Sequence, residues 1–472
     1  MEDDSRINWK ERYFEILKRV EALEARIAAL ESENQQLKLE NQALHEKLNT
    51  SSNNSSKPPS QDPFRKTRSN RPSGRKQGGQ PGHPGHPRHV YPTEQLSKVI
   101  DLKPETCPSC GSVNFDETPI SVECRQVIEL PEIQPEVIQY NIFTCQCGQC
   151  KKHARPIIPA EAEKGFGPRL MGFITMLSGE AGVTKRKICA IAAHLGMKIS
   201  LGSICNIHRI ASTILEKPFE TIRQIVLNHN NVNADESSWR LKAKRCWIWI
   251  GAIPGATFFK IDPSRSQEAF NRIFQGFQNI LSSDRYGAYN SHKGEKQCCL
   301  AHIDRDFEKM SEREGADGAL GRILCGELDL IFALWKEFKT QALARQALQE
   351  KAQEHIENIQ DALTIASSAK GITSKSVALC SDLLERFLSL WTFLYEEGVE
   401  PTNNLAERGL RPAVIQRKIS GGSQSEWGLA FTERLLTVVC TFRQSSRNIF
   451  EFLTKSFRAH IQGAQAPPVF ES

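Results

Sequence analysis

A chain of 472 residues has room for two to four folded units, and 39% hydrophobic with 25% charged residues supplies sizeable cores. Wholesale disorder is excluded. No run approaches the ~18 apolar residues of a membrane span, and the opening MEDDSRINWK lacks a signal peptide's apolar stretch, so a soluble intracellular protein is expected. Net charge is only +6, from 61 Lys and Arg against 55 Asp and Glu, so any affinity for polyanions must be local. Fourteen cysteines in so long a chain point to metal-binding pairs more than to disulfides.

Ile16, Leu23, Leu30, Leu37 and Leu44 recur every seven residues, interleaved with Val20, Ile27, Asn34, Asn41 and Leu48. This heptad predicts a parallel, two-stranded, homo-oligomerising coiled coil, in which the two Asn trade stability for register. Packing on the body of the same chain is the other reading.

Residues 51–92 are rich in Pro, Gly and Ser with no apolar period, which predicts a disordered tether. Lys57, Arg65, Lys66, Arg68, Arg71, Arg75, Lys76 and Arg88 face Asp62 alone, so this arm suits contact with a phosphate backbone. A merely solvated linker is the alternative.

Cys107-Pro-Ser-Cys110 and Cys147-Gly-Gln-Cys150 are joined by strand-like stretches such as residues 137–143, and four thiolates so spaced build a closed structural Zn²⁺ site. Cys145 is a spare that can replace Cys147; Cys124 reads as core.

From Gly167 the pattern turns helical. Residues 184–196 followed by Ser200-Leu-Gly-Ser-Ile204 have a helix–turn–helix rhythm: Ala192 allows close packing, Gly196 permits the turn and Ser200 caps. DNA reading and plain helical packing both fit. Residues 230–310 read as three strands, a helix (267–274) and a strand (278–284), which sets Asp235 and Asp284 at strand ends. Residues 320–398 are helical, with core stripes at Leu324, Leu328, Ile331, Trp335 and Phe338, and again at Leu384, Phe387, Trp391 and Leu394.

Two strand-end aspartates can meet at one sheet edge, and Thr402-Asn-Asn-Leu-Ala-Glu407-Arg-Gly-Leu-Arg411 offers a third carboxylate. Three carboxylates can hold two divalent cations for attack on a phosphodiester. Arg408 and Arg411, three apart on one helix, suit phosphate contact. Each acid has a plainer reading: Asp235 as a turn residue with Glu236 the true ligand, Asp284 in a turn, Glu407 closing a capping box with Asn404.

Taken in order, these motifs resemble the DDE transposases of the Insertion Sequence 66 family. The likeness runs from the heptads and the Ser52–Asp62 linker through Gly78–His86, the two CxxC turns with Arg125–Pro131 between them, and Gly167-Pro-Arg169. It continues through the Asp-Glu pair at Asp235, Ser264-Arg265, Ser283-Asp284 with Tyr286 and Tyr289, Cys299-Leu-Ala-His302, and Asn403-Asn404-Leu-Ala-Glu407-Arg408. Three positions depart from the family pattern: Arg285 where glycine is usual, Ser237 where threonine is usual, and Asp306 where a basic residue is usual.

The resemblance implies a multidomain α/β protein with a ribonuclease-H-like core whose Mg²⁺ (or Mn²⁺) ligands map to Asp235, Asp284 and Glu407. His302 would lie near them. The implied activity is metal-dependent cleavage of element ends and strand transfer; the partners are DNA, a second copy of the chain, and small accessory proteins of the element, with no membrane. Location would be cytoplasmic, on a bacterial nucleoid.

The expected partition is a coiled-coil helix (1–50), a basic linker (51–95), a zinc ribbon (96–165), a helical DNA-binding region (166–228), the core's first part (229–310), a helical insertion (311–400) and the core's last part (401–472). A catalytically inactive DNA-binding or regulatory protein, using the basic arm and zinc ribbon, is the alternative.

Overall fold

A computed structural model describes residues 9–49, 89–116, 120–369 and 371–470. The expected DNA contacts at Arg65, Lys66, Arg68, Arg71, Arg75 and Lys76 lie outside the described residues. Two compact units are distinguished: one of Met1–Phe64, Gln139–His194 and Lys198–Ser472, the other of Arg65–Ile138 with Leu195–Met197.

In the larger unit, α1 (Trp9–Asn49) is one uninterrupted helix of 41 residues. Its heptad leucines are about half exposed, from Leu23 at 53% to Leu44 at 55%, so no other described residues cover the stripe. A two-residue hairpin, β1 (Cys145–Gln146) and β2 (His153–Ala154), carries the second CxxC turn. Helices α2 (Ala160–Lys164), α3 (Pro168–Gly179), α4 (Lys185–His194), α5 (Leu201–Ile214) and α6 (Glu216–Leu227) follow. The expected turn between α4 and α5 is present: Gly196 has φ +76°, and Ser200 Oγ accepts the Ser203 N–H at 3.0 Å.

The sheet comprises β3 (Asn231–Leu241), β4 (Lys244–Ile253), β5 (Ala256–Asp262), β6 (Ile280–Ser283) and β7 (Lys296–Cys298), with α7 (Gln267–Ile273) between β5 and β6. Its order is β5-β4-β3-β6-β7; β4 is antiparallel to both β3 and β5, while β3, β6 and β7 run parallel. The helical stretch is α8 (Leu300–Ser311), α9 (Gly315–Lys339), α10 (Arg345–Ser368), α11 (Ser374–Glu385) and α12 (Thr392–Tyr395), after which α13 (Asn404–Ser420), α14 (Glu426–Gln444) and α15 (Ile449–Gln462) complete the chain's regular structure. Among the described residues no helix is long and apolar enough to cross a membrane.

Alternation along β3 and β4 assigns their faces. Trp239, Ile248 and Ile250 point to one side and pack against Ala406, Leu410 and Ala413 of α13 and Leu436 of α14. Helix α14 also covers the edge of β5. Thr441 Oγ1, Thr437 Oγ1 and Glu433 Oε1 accept the N–H groups of Thr257 (3.1 Å), Phe259 (2.9 Å) and Ile261 (2.7 Å). The match is geometric: four helical residues rise about 6 Å, and two strand residues advance about 6.6 Å. An edge that would otherwise offer open donors is thereby closed.

Several expectations need correction. Residues 137–143 belong to no regular strand, because an extended apolar run needs a partner ladder and none is formed among the described residues. Cys124 is exposed, not core. Strand β3 extends well past Asp235, which lies in mid-strand, because the antiparallel ladder with β4 continues to Leu241. The stripe at Leu384–Leu394 is broken between α11, a 3₁₀ turn (Phe387–Leu390) and α12.

Replacing Thr437 by Val should strand the buried Phe259 N–H and cost about 1–3 kcal/mol. Thr437→Ser should recover most of it. Denaturant unfolding of both variants is the check.

Candidate active site

Strand register brings the two aspartates together. Asn233 pairs with Ser282 in the parallel β3–β6 ladder, and continuing that register by two residues sets Asp284, just past β6, beside Asp235. Glu407 lies in the first turn of α13, the helix on the Asp235 face of the sheet. Three links hold these elements. The Cys299 N–H donates to Ser283 O (2.9 Å), the Asn403 N–H donates to Cys299 Sγ (3.1 Å), and Asn403 Nδ2 donates to Ala234 O (2.7 Å). Asn403 Oδ1 also accepts Asn233 Nδ2 at 3.0 Å. Each link ends on a residue next to an acid or at the start of its helix. Because the Asn403 side chain reaches the sheet, it makes no cap to its own helix.

Burial holds the Asp235 carboxyl well above the usual carboxylate range; the charges of Glu236, Asp284 and Glu407 push it the same way, against a single backbone hydrogen bond from Glu236. Glu407 Oε1 is buried without a hydrogen-bond partner, with His302 Nδ1 at 3.6 Å and Arg305 at 4.0 Å from the Glu407 carboxylate. Burial and the nearby Arg305 lower the His302 pKa, partly offset by Glu407 and Asp284. One potential ligand atom each of Cys299, His302 and Glu407 lies within 4.8 Å of the others. Burial pushes the Cys299 thiol up to about 11. With Asp284 and Glu407 both acting on Asp235, the Glu407 carboxylate belongs to a group of oxygen donors whose chemistry suits a hard divalent cation.

Glu236, the alternative ligand, has other partners. It points to the opposite face of β3, accepts from Arg265 Nε at 2.7 Å and pairs with Tyr289 Oη. Arg265 in turn stacks on Tyr286 (3.6 Å) and Trp247 (4.8 Å). The family-like residues around Ser264-Arg265 and Tyr286–Tyr289 therefore build a support behind the aspartates.

Two departures from the family pattern answer each other. Arg285 forms ion pairs with Asp306 of α8 and with Asp382 of α11, the latter at 2.6 Å, and Asp382 also receives Arg386 at 2.8 Å. The extra acid is thus met by the extra base. Arg408 and Arg411 are exposed on α13. Cys107 accommodates a turn in which its carbonyl accepts the Gly111 N–H (2.8 Å) and its N–H reaches Ser112 O (2.8 Å); Cys147 repeats this with Lys151 (3.0 Å) and Lys152 (2.8 Å). Backbone N–H groups, of Ser109 and Cys110 in the first turn and of Cys150 and Gln149 in the second, lower the thiol pKa of Cys107 and Cys147. Two such knuckles, with Cys110 and Cys150 as second members, are suited to Zn²⁺ thiolate ligation.

Residues 164–430 match the model of the Transposase IS66 family, more than half of the chain. The chain belongs to this family. Residues 104–151 match the zinc-finger binding domain of transposase IS66, and residues 13–89 match a family of unknown function. Two curated relatives are similar, both uncharacterized proteins of Sinorhizobium fredii (strain NBRC 101917 / NGR234). The protein y4hP is 21% identical over 387 residues, 74% of this chain and 69% of its own length. The protein y4qI is 22% identical over 250 residues, 48% of this chain and 46% of its own length. Membership in the IS66 transposase family makes this a zinc-finger-bearing, DNA-binding protein of the nucleic-acid-processing class.

Sequence reasoning missed strand β7, Asn403 as the link between α13 and β3, and the Arg285 pairs. The Asn403-Asn404 motif was visible; the destination of its side chain was not.

Two outcomes are expected. A carboxyl whose folded-state pKa is raised binds protons more readily folded than unfolded, so its contribution to stability falls as pH rises from the ordinary Asp range. Asp235→Asn should therefore raise the Tm of the metal-free protein at pH 7 and flatten its decline with rising pH, as read by calorimetry. A double-mutant cycle on Arg285→Ala and Asp306→Ala should return a coupling of about 0.5–1 kcal/mol, as for a partly exposed ion pair. A coupling of zero would mean the two substitutions are independent.

Proposed function

We propose that this IS66-family protein is the element's catalytic transposase, which binds element ends and performs metal-dependent DNA strand cleavage and strand transfer at Asp235, Asp284 and Glu407. What supports this reading is that Asp284, at the end of β6, and Glu407, at the start of α13, both act on Asp235 of β3 to raise a carboxyl pKa already held high by burial, and that Glu407 Oε1 has no hydrogen-bond partner among the described residues. A pure DNA binder gains nothing from acids gathered beside phosphates, which disfavours the non-catalytic alternative.

The strand order β5-β4-β3-β6-β7, antiparallel on one side of β3 and parallel on the other, supports a ribonuclease-H-like core. Mg²⁺ or Mn²⁺ held by the three acids would supply an activated attacking oxygen and charge neutralisation at the leaving one. The protein's own part is positioning: Asn403 fixes α13 against β3, and the Arg265–Glu236–Tyr289 group stiffens the strand behind Asp235. His302 and Arg305 stand where negative charge would gather around Glu407. Arg408 and Arg411, together with Arg65, Lys66, Arg68, Arg71, Arg75 and Lys76, would meet the DNA backbone.

The same reading gives the other parts their tasks. The exposed leucine stripe of α1 would pair with α1 of a second copy as a coiled coil. Cys107, Cys110, Cys147 and Cys150 would share one structural Zn²⁺, and α4–α5 would contribute to DNA binding. Small accessory proteins of the element would assist.

The test uses the full chain, zinc-replete, with donor DNA carrying the element's ends. Asp235→Asn, Asp284→Asn and Glu407→Gln should each abolish Mg²⁺-dependent end cleavage while leaving DNA affinity and folding intact. Asp284→Cys should be inactive with Mg²⁺ and regain cleavage with the more thiophilic Mn²⁺. Unchanged cleavage in any of the three isosteric variants would sink the assignment.

A further inference from the structure

The β3–β4 hairpin holds a cleft of about 320 Å³ lined by Ser238, Trp239, Arg240, Arg245, Arg417 and Gly421. No acidic side chain is among these residues. Arg240 and Arg245 are direct cross-strand partners, so both guanidinium stems leave the sheet on one side. Arg417 reaches in from α13 and donates to the carbonyl and hydroxyl of Ser238. Burial, then the charge of Arg240, depresses the Arg417 pKa.

The walls are built, not incidental. Lys242 N–H donates to Ser423 O and Ser423 N–H to Arg240 O, both at 2.8 Å, while buried Trp239 Nε1 donates to Ser423 Oγ at 3.2 Å. These bonds lock the loop after α13 onto the hairpin. Gly422, with φ +100°, is required there, since a Cβ would meet Arg240 O at 2.5 Å.

We propose that this cleft is a subsite for a backbone phosphate of DNA bound across the β3–β4 hairpin. Three guanidiniums around one concave cleft suit a phosphodiester oxyanion. The proposal rests on the transposase reading and deepens it.

The test is fluorescence anisotropy of the full-length protein with a labelled 40-base-pair duplex of mixed sequence, titrated over a range of NaCl. Arg240 and Arg245 are exposed, so Arg240→Ala/Arg245→Ala should fold normally, with an unchanged Tm. Its affinity should fall roughly tenfold and its log Kd–log salt slope by about one, the signature of one lost phosphate contact. Arg240→Lys/Arg245→Lys should restore most of the slope. Lys336→Ala/Lys351→Ala, an equal loss of charge on the surface of α9 and α10, should leave it unchanged. An unaltered slope in the arginine double variant, or an equal change in the lysine control, overturns the subsite. Thermal stabilisation by millimolar inorganic phosphate that depends on Arg240 and Arg245, with DNA binding unaffected, also overturns it and assigns the cleft to a free anion. Absence of salt-sensitive DNA binding by the wild-type chain instead removes the transposase reading itself.

Discussion

The side chain of Asn403 joins the parts of this protein that must meet. Buried, it donates to Ala234 O and accepts from Asn233 on β3, while its backbone N–H reaches Cys299, whose own N–H is tied to Ser283. A carboxamide can donate and accept at once, which is why one residue can bridge a strand and a helix start without leaving a buried polar atom unmet. The acids at 235, 284 and 407 are separated along the chain by β4, β5, α7 and β6 and then by β7 and the helices α8–α12, yet their placement depends on this short chain of bonds.

The second constraint is electrostatic. Asp235 has been desolvated among other acids, whereas Glu236 next to it is met by Arg265 and Tyr289 on the other face of the strand. Burial raises the pKa of both carboxyls, but they meet different neighbours because a strand sends successive side chains to opposite faces. The compensated one braces the sheet. Asp235 is left among other acids, a setting that favours its protonated form in the absence of a cation.

Around that centre the scaffold closes its own weak points. Helix α14 meets the β5 edge at every second N–H through Glu433, Thr437 and Thr441. Arg285, adjacent to Asp284, reaches both α8 and α11, so the helical stretch between β7 and α13 is anchored within one residue of a candidate metal ligand. Loosening α11 would therefore be felt at the Asp284 loop.

Much of the chain was legible before any coordinates. The CxxC spacings, the Ser200 cap, the turn at Gly196 and the buried stripe of α9 are local signals, carried by residues only a few positions apart. The acids at 235, 284 and 407 were singled out by the motifs around them and the family resemblance those motifs carry, whereas the strand-end reading of Asp235 did not hold. Long-range pairing could not be read in this way. Strand β7 has only three residues and no period to detect, and β3 outran its expected end because β4 continued to pair with it. That Glu236 turns to Arg265, that Asp306 is answered by Arg285, and that Asn403 spends its side chain on β3 follow from which surfaces face each other once the sheet is assembled. Amino-acid order determined the chemistry available at each position; only packing decided which groups keep water, which gain a partner, and which are left charged and waiting for one.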